Sequence, residues 1–246
     1  MNTVIYSHTK KAIIVGATSG IGKGLAETFA ANGYKVGITG RRTALLEQLK
    51  ANKPDSFLIK TMDVIDTSSA VKSMEELVEE LGGLDLLVIC SGVGNIIETI
   101  DFEVEKRTID TNVTGFTNIA DWAFNYFYKQ HFGHLVGISS VAGLRGNRYA
   151  PSYGASKSYQ INYLEALRQK ATHLKAPIYI TDIRPGFIDT ALIQGEKFFW
   201  VAPVEKAVQQ IFKAIRSKKN VAYITKRWWL IAVILRRIPK FIFDLI

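Results

Sequence analysis

Lys11-Ala-Ile-Ile-Val15 runs directly into Gly16-Ala-Thr-Ser-Gly20-Ile-Gly22, and this junction constrains the fold more than any other part of the chain. The first segment is a short apolar run of strand type. A helical pattern follows (Leu25, Ala26, Phe29, Ala30) and stops at Asn32-Gly33, a helix C-terminal signal. A second strand-like run, Lys35 to Thr39, completes a βαβ unit. A glycine turn between strand and helix lets backbone amides approach a pyrophosphate at the positive helix N-terminus. The spacing is G-x-x-x-G-x-G, not G-x-G-x-x-G, and glycine turns also occur where no phosphate binds. The turn by itself predicts the βαβ unit and leaves its ligand open.

The same alternation continues along the chain. Strand-like runs at Ala12–Val15, Lys35–Thr39, Phe57–Asp63, Leu84–Cys90, His134–Ser139 and Ile178–Ile183 are separated by helical patterns, and Val221–Ile224 adds a last strand. This pattern predicts a doubly wound (Rossmann) parallel sheet in three layers, α/β/α, with functional sites at the strand C-terminal ends. A chain of 246 residues, 48% of them hydrophobic, can bury one sizeable core. Without internal repeats or a long linker, it reads as a single domain over residues 1–225, with a basic, apolar tail at 226–246.

Tyr153 and Lys157 stand four residues apart, with Ser140 thirteen residues before Tyr153. Helix formers continue past them, so both side chains share one helix face. A phenol titrates near 10, and an adjacent ammonium lowers that value toward neutrality. A nearby serine hydroxyl can hold a carbonyl oxygen while the tyrosine exchanges its proton. The chemistry is interconversion of C=O and CH–OH. A Tyr-x-x-x-Lys pair alone arises in helices by chance and gains weight from a dinucleotide site on the same chain.

Taken together, these landmarks resemble the short-chain dehydrogenase/reductase family over roughly residues 10 to 225. Gly16, Gly20 and Gly22 match its cofactor glycines, although Val15 stands where a threonine is usual. Asp63-Val64 matches the pair that contacts the adenine. Asn112, in Asp110-Thr-Asn-Val113, matches an asparagine that supports a proton relay through water. Ser140, Tyr153 and Lys157 match the catalytic triad, Arg184-Pro-Gly186 the turn beside the nicotinamide, and Thr190, after Ile188-Asp189, a residue bonding the cofactor's amide or phosphate. The resemblance thus implies catalytic Ser140, Tyr153, Lys157 and Asn112. It implies cofactor contacts from Gly16, Thr18, Ser19, Gly20, Ile21, Gly22, Asp63, Val64, Ser91, Gly92, Tyr153, Lys157, Pro185, Gly186, Ile188 and Thr190. One departure concerns Ile89-Cys-Ser-Gly92, which stands where the family commonly has Asn-Asn-Ala-Gly. The missing asparagines usually brace the sheet, so local stabilisation is more in question than chemistry.

Charge narrows the cofactor. NAD-preferring folds place an acidic residue near the end of the second strand; here that position is Gly40, followed by Arg41 and Arg42. Guanidinium groups grip a 2′-phosphate through paired, charge-assisted hydrogen bonds, so NADP(H) is preferred, with NAD(H) as the alternative. The competing reading makes both arginines a solvated start to the next helix.

Other features set the surroundings. Cys90 is the only cysteine, which excludes an intrachain disulfide and suits a buried structural thiol in a reducing compartment. The N-terminus lacks an apolar core of signal-peptide length, so a cytoplasmic protein is expected. His131-Phe-Gly-His134 has no nearby carboxylate or cysteine cluster and reads as a surface turn, so no metal is expected. The basic pairs are dispersed along the chain, which argues against nucleic acid despite the net charge of +9. Phe116 to Tyr128 carries aromatics on several helix faces, and in the resembling family this helix and the one bearing Tyr153 commonly pair across an interface. A homodimer or homotetramer is expected.

In the tail, the apolar run Trp228–Leu235 is far short of the roughly 20 residues that span a bilayer. Lys226, Arg227, Arg236, Arg237 and Lys240 interrupt large apolar side chains, which suits a peripheral position on an anionic membrane, at its inner face. The other reading folds the tail over the substrate pocket or a neighbouring subunit. Residues 190–202 are expected to cover a small-molecule carbonyl or alcohol substrate, with Phe198, Phe199 and Trp200 as an apolar lid, and Val93 and Leu144 lining the pocket. An aliphatic or lipid-like ketone fits best. A non-catalytic NADPH-binding sensor or scaffold at a membrane surface is the alternative function.

Overall fold

β1 (Lys11–Val15) is apolar on both faces, as an inner strand of a parallel sheet covered by helices must be. Ala12 and Ile14 pack into one layer, Ile13 and Val15 into the other. The chain then forms α1 (Gly20–Ala31) and returns as β2 (Lys35–Gly40), parallel to β1 with Lys11 opposite Lys35 and Val15 opposite Thr39. The computed structural model describes residues 9–96, 98–191 and 199–243. Seven residues of the 190–202 segment, including Phe198, lie outside the described residues.

After β2 come α2 (Thr43–Asn52), β3 (Phe57–Thr61), α3 (Thr67–Leu81) and β4 (Leu86–Ile89). Next are α4 (Phe102–Ile109), a π-helical turn at Asp110–Gly115, α5 (Phe116–Gln130) and β5 (Gly133–Ile138). A 3-10 turn at Val141–Leu144 leads to α6 (Pro151–His173), β6 (Ile178–Pro185), α7 (Val204–Arg216) and β7 (Val221–Ile224), and then α8 (Trp228–Arg237) and α9 (Lys240–Phe243). The sheet is parallel throughout, in the order β3-β2-β1-β4-β5-β6-β7.

Each helix buries one stripe on this sheet. In α7, Ala207, Val208, Ile211, Phe212 and Ile215 recur at helical spacing and join Phe29 of α1 and Leu46 of α2 in one layer. On the opposite face, Met74 and Leu77 of α3 meet Phe116, Phe124 and Phe127 of α5 and Leu164 of α6. Asp66 caps α3 by accepting from Ser69 N at 3.2 Å, and Gly82, in the left-handed region, ends it. The expected doubly wound, three-layer architecture is the one observed.

Because the order reverses at β1, the loops after β1 and β4 diverge to opposite sides and leave a crevice at their C-terminal ends. Behind it, a buried ion pair ties the later strands together. Arg184 Nε donates to Asp182 Oδ2 at 2.6 Å, Ser139 Oγ donates to Asp182 Oδ1 at 2.5 Å, and Arg184 Nη1 donates to Tyr223 Oη at 3.0 Å. Asp182 and Arg184 are almost wholly buried, so each charge depends on the other for compensation.

His134 differs from expectation. His131 ends α5 in a left-handed conformation, but β5 begins at Gly133, and this draws His134 into the core against Thr181, with Nε2 to Oγ1 at 2.8 Å. Burial, then the charge of Lys218, pushes its imidazole down to about 4. An unfolded histidine titrates near 6.5, so between these values the unfolded chain binds the additional proton. The contribution of neutral His134 is full above pH 6.5 and is lost as pH falls toward 4. His134→Gln should remove about 2–3 kcal/mol of the acid-side loss in stability, measured as the difference between urea unfolding at pH 7 and pH 4.5.

Candidate active site

The two loops flanking the crevice touch. Gly16 has φ +87°, and a Cβ there would lie 2.7 Å from Ser91 N, so only glycine lets the β1 turn approach β4 this closely. Gly22 likewise sits against the Gly16 carbonyl, and Gly20 beside the Thr190 methyl. Ser91 Oγ is buried without a hydrogen-bond partner, a group that a bound ligand can satisfy. Arg42 Nη2 donates to Thr18 Oγ1 at 2.6 Å and to Ser19 Oγ at 2.9 Å, which sets its guanidinium on the glycine turn. Arg41 lies 3.8 Å from Asp63 Oδ2, both partly solvated. Val64 is buried, and its carbonyl and side chain lie against Gly115 in the π-helical turn. These residues fit a dinucleotide: small backbone at the phosphates, cations at the far ribose and an orphaned hydroxyl between.

The polar centre lies at the ends of β4 and β5. Asn112 sits in the π-helical turn between α4 and α5, where the widened ladder turns its amide inward. Its Oδ1 accepts from Val93 N at 2.9 Å, while its Nδ2 donates to Val93 O at 2.7 Å and Ser156 Oγ at 3.0 Å. This clamp holds the backbone of the loop after β4 at Val93. Ser140 Oγ accepts from Ala142 N at 3.1 Å and donates weakly to Pro185 O at 3.4 Å.

Lys157 is buried, and its ammonium donates to Ile138 O and to Gln160 Oε1, each at 2.9 Å. Gln160 Nε2 in turn donates to Asn112 O at 2.8 Å. Gln160 therefore links Lys157 to the Asn112 carbonyl directly. The sequence signal was present, since Gln160 lies three residues after Lys157 on the same helix face, but a glutamine in a helix reads as solvated.

Burial pushes Lys157 down to about 8, with Asp182 among the opposing charges. Tyr153 moves up, because desolvation outweighs the hydrogen bond from Ser140. Lys157 Nζ lies 5.8 Å from the Tyr153 ring centroid. Cys90, one residue past β4 and partly buried, has its thiol pushed up to about 12, first by burial, so it stays protonated near neutrality.

Family comparison decides the class. The short chain dehydrogenase family profile matches residues 10–198. The chain belongs to the short-chain dehydrogenase/reductase family of oxidoreductases. It is 31% identical over 229 residues to an uncharacterized oxidoreductase of Mycobacterium tuberculosis, covering 89% of each chain. It is 31% identical over 188 residues to the 3-oxoacyl-(acyl-carrier-protein) reductase FabG of Staphylococcus aureus, covering 73% of this chain and 75% of that one. Among solved structures, a short-chain type dehydrogenase/reductase from Mycobacterium ulcerans superposes with a TM-score of 0.77 at 23% identity, over 87% of this chain and 88% of the other. ElxO with NADP bound superposes with a TM-score of 0.74 at 23% identity, over 88% and 97%. These two neighbours share the fold.

At the far edge, Ile188 is buried and bridges to Ala202, and Gly186 lies flat against the indole of Trp228. Phe187, Phe199, Trp200 and Trp228 form one aromatic cluster, with centroids 5.4 to 6.3 Å apart. The tail thus packs on the turn after β6.

Gln160 Oε1 is one of the two acceptors that face the Lys157 ammonium. Gln160→Leu removes one acceptor from the ammonium and should lower its titration midpoint by about one pH unit, whereas Gln160→Glu should raise it by a similar amount. NMR titration of 13Cε-labelled lysine checks both. Equal midpoints in the two variants would reduce Gln160 to packing.

Proposed function

We propose that this chain is an NADP(H)-dependent oxidoreductase that interconverts a ketone and a secondary alcohol, with Tyr153 as the proton donor and acceptor. The observation that carries this reading is the buried Lys157, held on Ile138 O at the C-terminal end of β5, with its Nζ 5.8 Å from the Tyr153 ring centroid and Ser140 two residues beyond that strand. When bound, the dinucleotide supplies or accepts the hydride.

The protein's own residues do the rest. Ser140 and Tyr153 hold the substrate oxygen between two hydroxyls and stabilise the negative charge that develops there. Because burial raises the Tyr153 titration above its usual value, the phenol stays protonated and is ready to donate as a carbonyl is reduced. Lys157, poised at about 8, offsets the phenolate once that proton has left and holds the nicotinamide ribose. Asn112 fixes the Gly92–Val93 backbone beside Lys157 and belongs to the route by which Tyr153 is reprotonated. In the reverse direction the same groups accept the proton.

Arg41 and Arg42 support the choice of NADP(H), and ElxO, a structural neighbour, carries NADP. The likeness to a 3-oxoacyl reductase and the aromatic wall at Phe187, Phe199 and Trp228 support an aliphatic or lipid-like ketone. Half-buried aromatic pairs on α5 (Trp122–Tyr126, 5.6 Å) and α6 (Tyr159–Tyr163, 5.6 Å) support assembly as a homodimer or homotetramer through these helices. We place the enzyme in the cytoplasm, at the inner face of the membrane.

Tyr153→Phe should lower turnover of an aliphatic ketone by about 10³-fold or more and leave the NADPH dissociation constant nearly unchanged; retained turnover sinks the assignment. NADPH binding by the native protein without turnover across ketones of rising chain length would favour a sensor. Arg42→Ala should weaken NADPH binding by roughly 10- to 100-fold, the loss of a charge-assisted hydrogen bond, with NADH binding little affected. Fluorescence titration with both nucleotides tests this, and equal losses for the two would return Arg42 to a structural role on the glycine turn.

A further inference from the structure

α8 is apolar from Trp228 through Leu235 without interruption, yet only one side of it is covered. Trp228 and Ala232, one turn apart, are buried, Trp228 against Gly186 in the turn after β6. The opposite side presents Trp229, 57% exposed, with Leu230 and Ile234. After the break at Pro239, α9 adds Phe241, 71% exposed, and Ile242. A helix that is apolar all round requires an apolar surrounding on every side, and the protein supplies it on one side only.

Cations frame this face. Lys226 and Arg227 precede α8, Arg236 and Arg237 end it, and Lys240 opens α9, while residues 226–243 contain no carboxylate. The arrangement is held rigidly. Arg145 Nη1 donates to Leu235 O at 3.3 Å and Ile238 O at 3.0 Å, satisfying carbonyls at the α8 C-terminus, and its guanidinium lies 4.2 Å from the Phe243 ring centroid. Arg227 donates to Trp200 O at 3.3 Å and stacks on the Trp200 ring.

We infer that α8 and α9 form an amphipathic plate that docks on an anionic lipid surface and, through its covered side, walls the active site. Large apolar side chains with a tryptophan among them, bordered by five cations against the single carboxylate side chain of Asp244, complement the boundary between acyl chains and anionic headgroups. The covered side reaches both ends of the catalytic cleft: Trp228 lies on Gly186, and Arg145 joins the α8 C-terminus to the turn that follows Ser140. One helix thus has the lipid on one side and the cleft on the other. The class of substrate this favours is a membrane-partitioning ketone that reaches Ser140 and Tyr153 from the leaflet. That substrate class rests on the carbonyl-reductase reading; the docking does not.

The test is co-sedimentation of the full chain with vesicles of phosphatidylglycerol and phosphatidylcholine, or of phosphatidylcholine alone, with NADPH binding and sedimentation velocity measured on each variant. The native protein should pellet with the anionic vesicles, less so as salt is raised, and remain in solution with phosphatidylcholine alone. Trp229→Glu should abolish pelleting, and Arg236→Gln with Arg237→Gln should weaken it roughly 30-fold, at about 1 kcal/mol per cation. Both residues of α8 that bear on the cleft, Trp228 and Ala232, are left in place, so NADPH binding should be unchanged. The inference fails if the native protein stays in solution with anionic vesicles, or if Trp229→Glu pellets as well as the native chain. It also fails if Trp229→Glu dissociates an oligomer, because the face would then belong to a second copy. Loss of NADPH binding in the native protein would overturn the proposed reaction and leave the docking result standing.

Discussion

A lysine ammonium that is almost wholly buried must be given acceptors, or it gives up its charge. Around Lys157 the protein meets this demand with Ile138 O and Gln160 Oε1, and each acceptor draws in further structure. Ile138 is the last residue of β5, so Lys157 pins the strand that delivers Ser140. Gln160 is itself held by Asn112 O, and the Asn112 amide grips Val93 on both its N–H and its carbonyl. One charge thereby ties α6, β5, the π-helical turn and the loop after β4 into a single unit. The titration of Lys157 near 8 and the protonated state of Tyr153 both follow from the depth at which this unit is set.

The sheet makes that depth available. In a doubly wound order, helices cover both faces, and the only concave surface at the strand ends lies where the order reverses. Gly16 and Ser91 approach there without an intervening side chain. The buried Asp182–Arg184 pair stiffens the neighbouring strands through Ser139 and Tyr223. The glycine-lined crevice and the polar centre around Lys157 are therefore adjacent because of topology, and the fold leaves open the edge near Gly186. The aromatic cluster of Phe187, Phe199, Trp200 and Trp228 fills that edge.

The tail meets the rest of the protein through one side of α8. Trp228 covers the turn after β6, and Trp229, Leu230 and Ile234 remain outside. Hydrophobicity alone does not separate Trp228 from Trp229. Their difference comes from a helical rotation of one residue against a surface formed by Gly186, about forty residues earlier in the chain.

Much of the architecture was legible in the residues themselves, because it rests on local periodicity. The seven strands fall where the apolar runs lie, α1 ends at its Asn-Gly signal, and Pro239 divides the tail, since strand alternation, helix stops and proline breaks act over a few residues. The site residues were legible by type and order for the same reason: glycine turns and a Tyr-x-x-x-Lys pair are short patterns. What tertiary structure alone decided were the contacts between distant segments. It drew His134 into the core, gave Gln160 the link between Lys157 and Asn112, and set Trp228 against Gly186. Each of these depends on burial and on partners far away in sequence, and a one-dimensional pattern carries the periodicity of a segment but not the identity of what it will face.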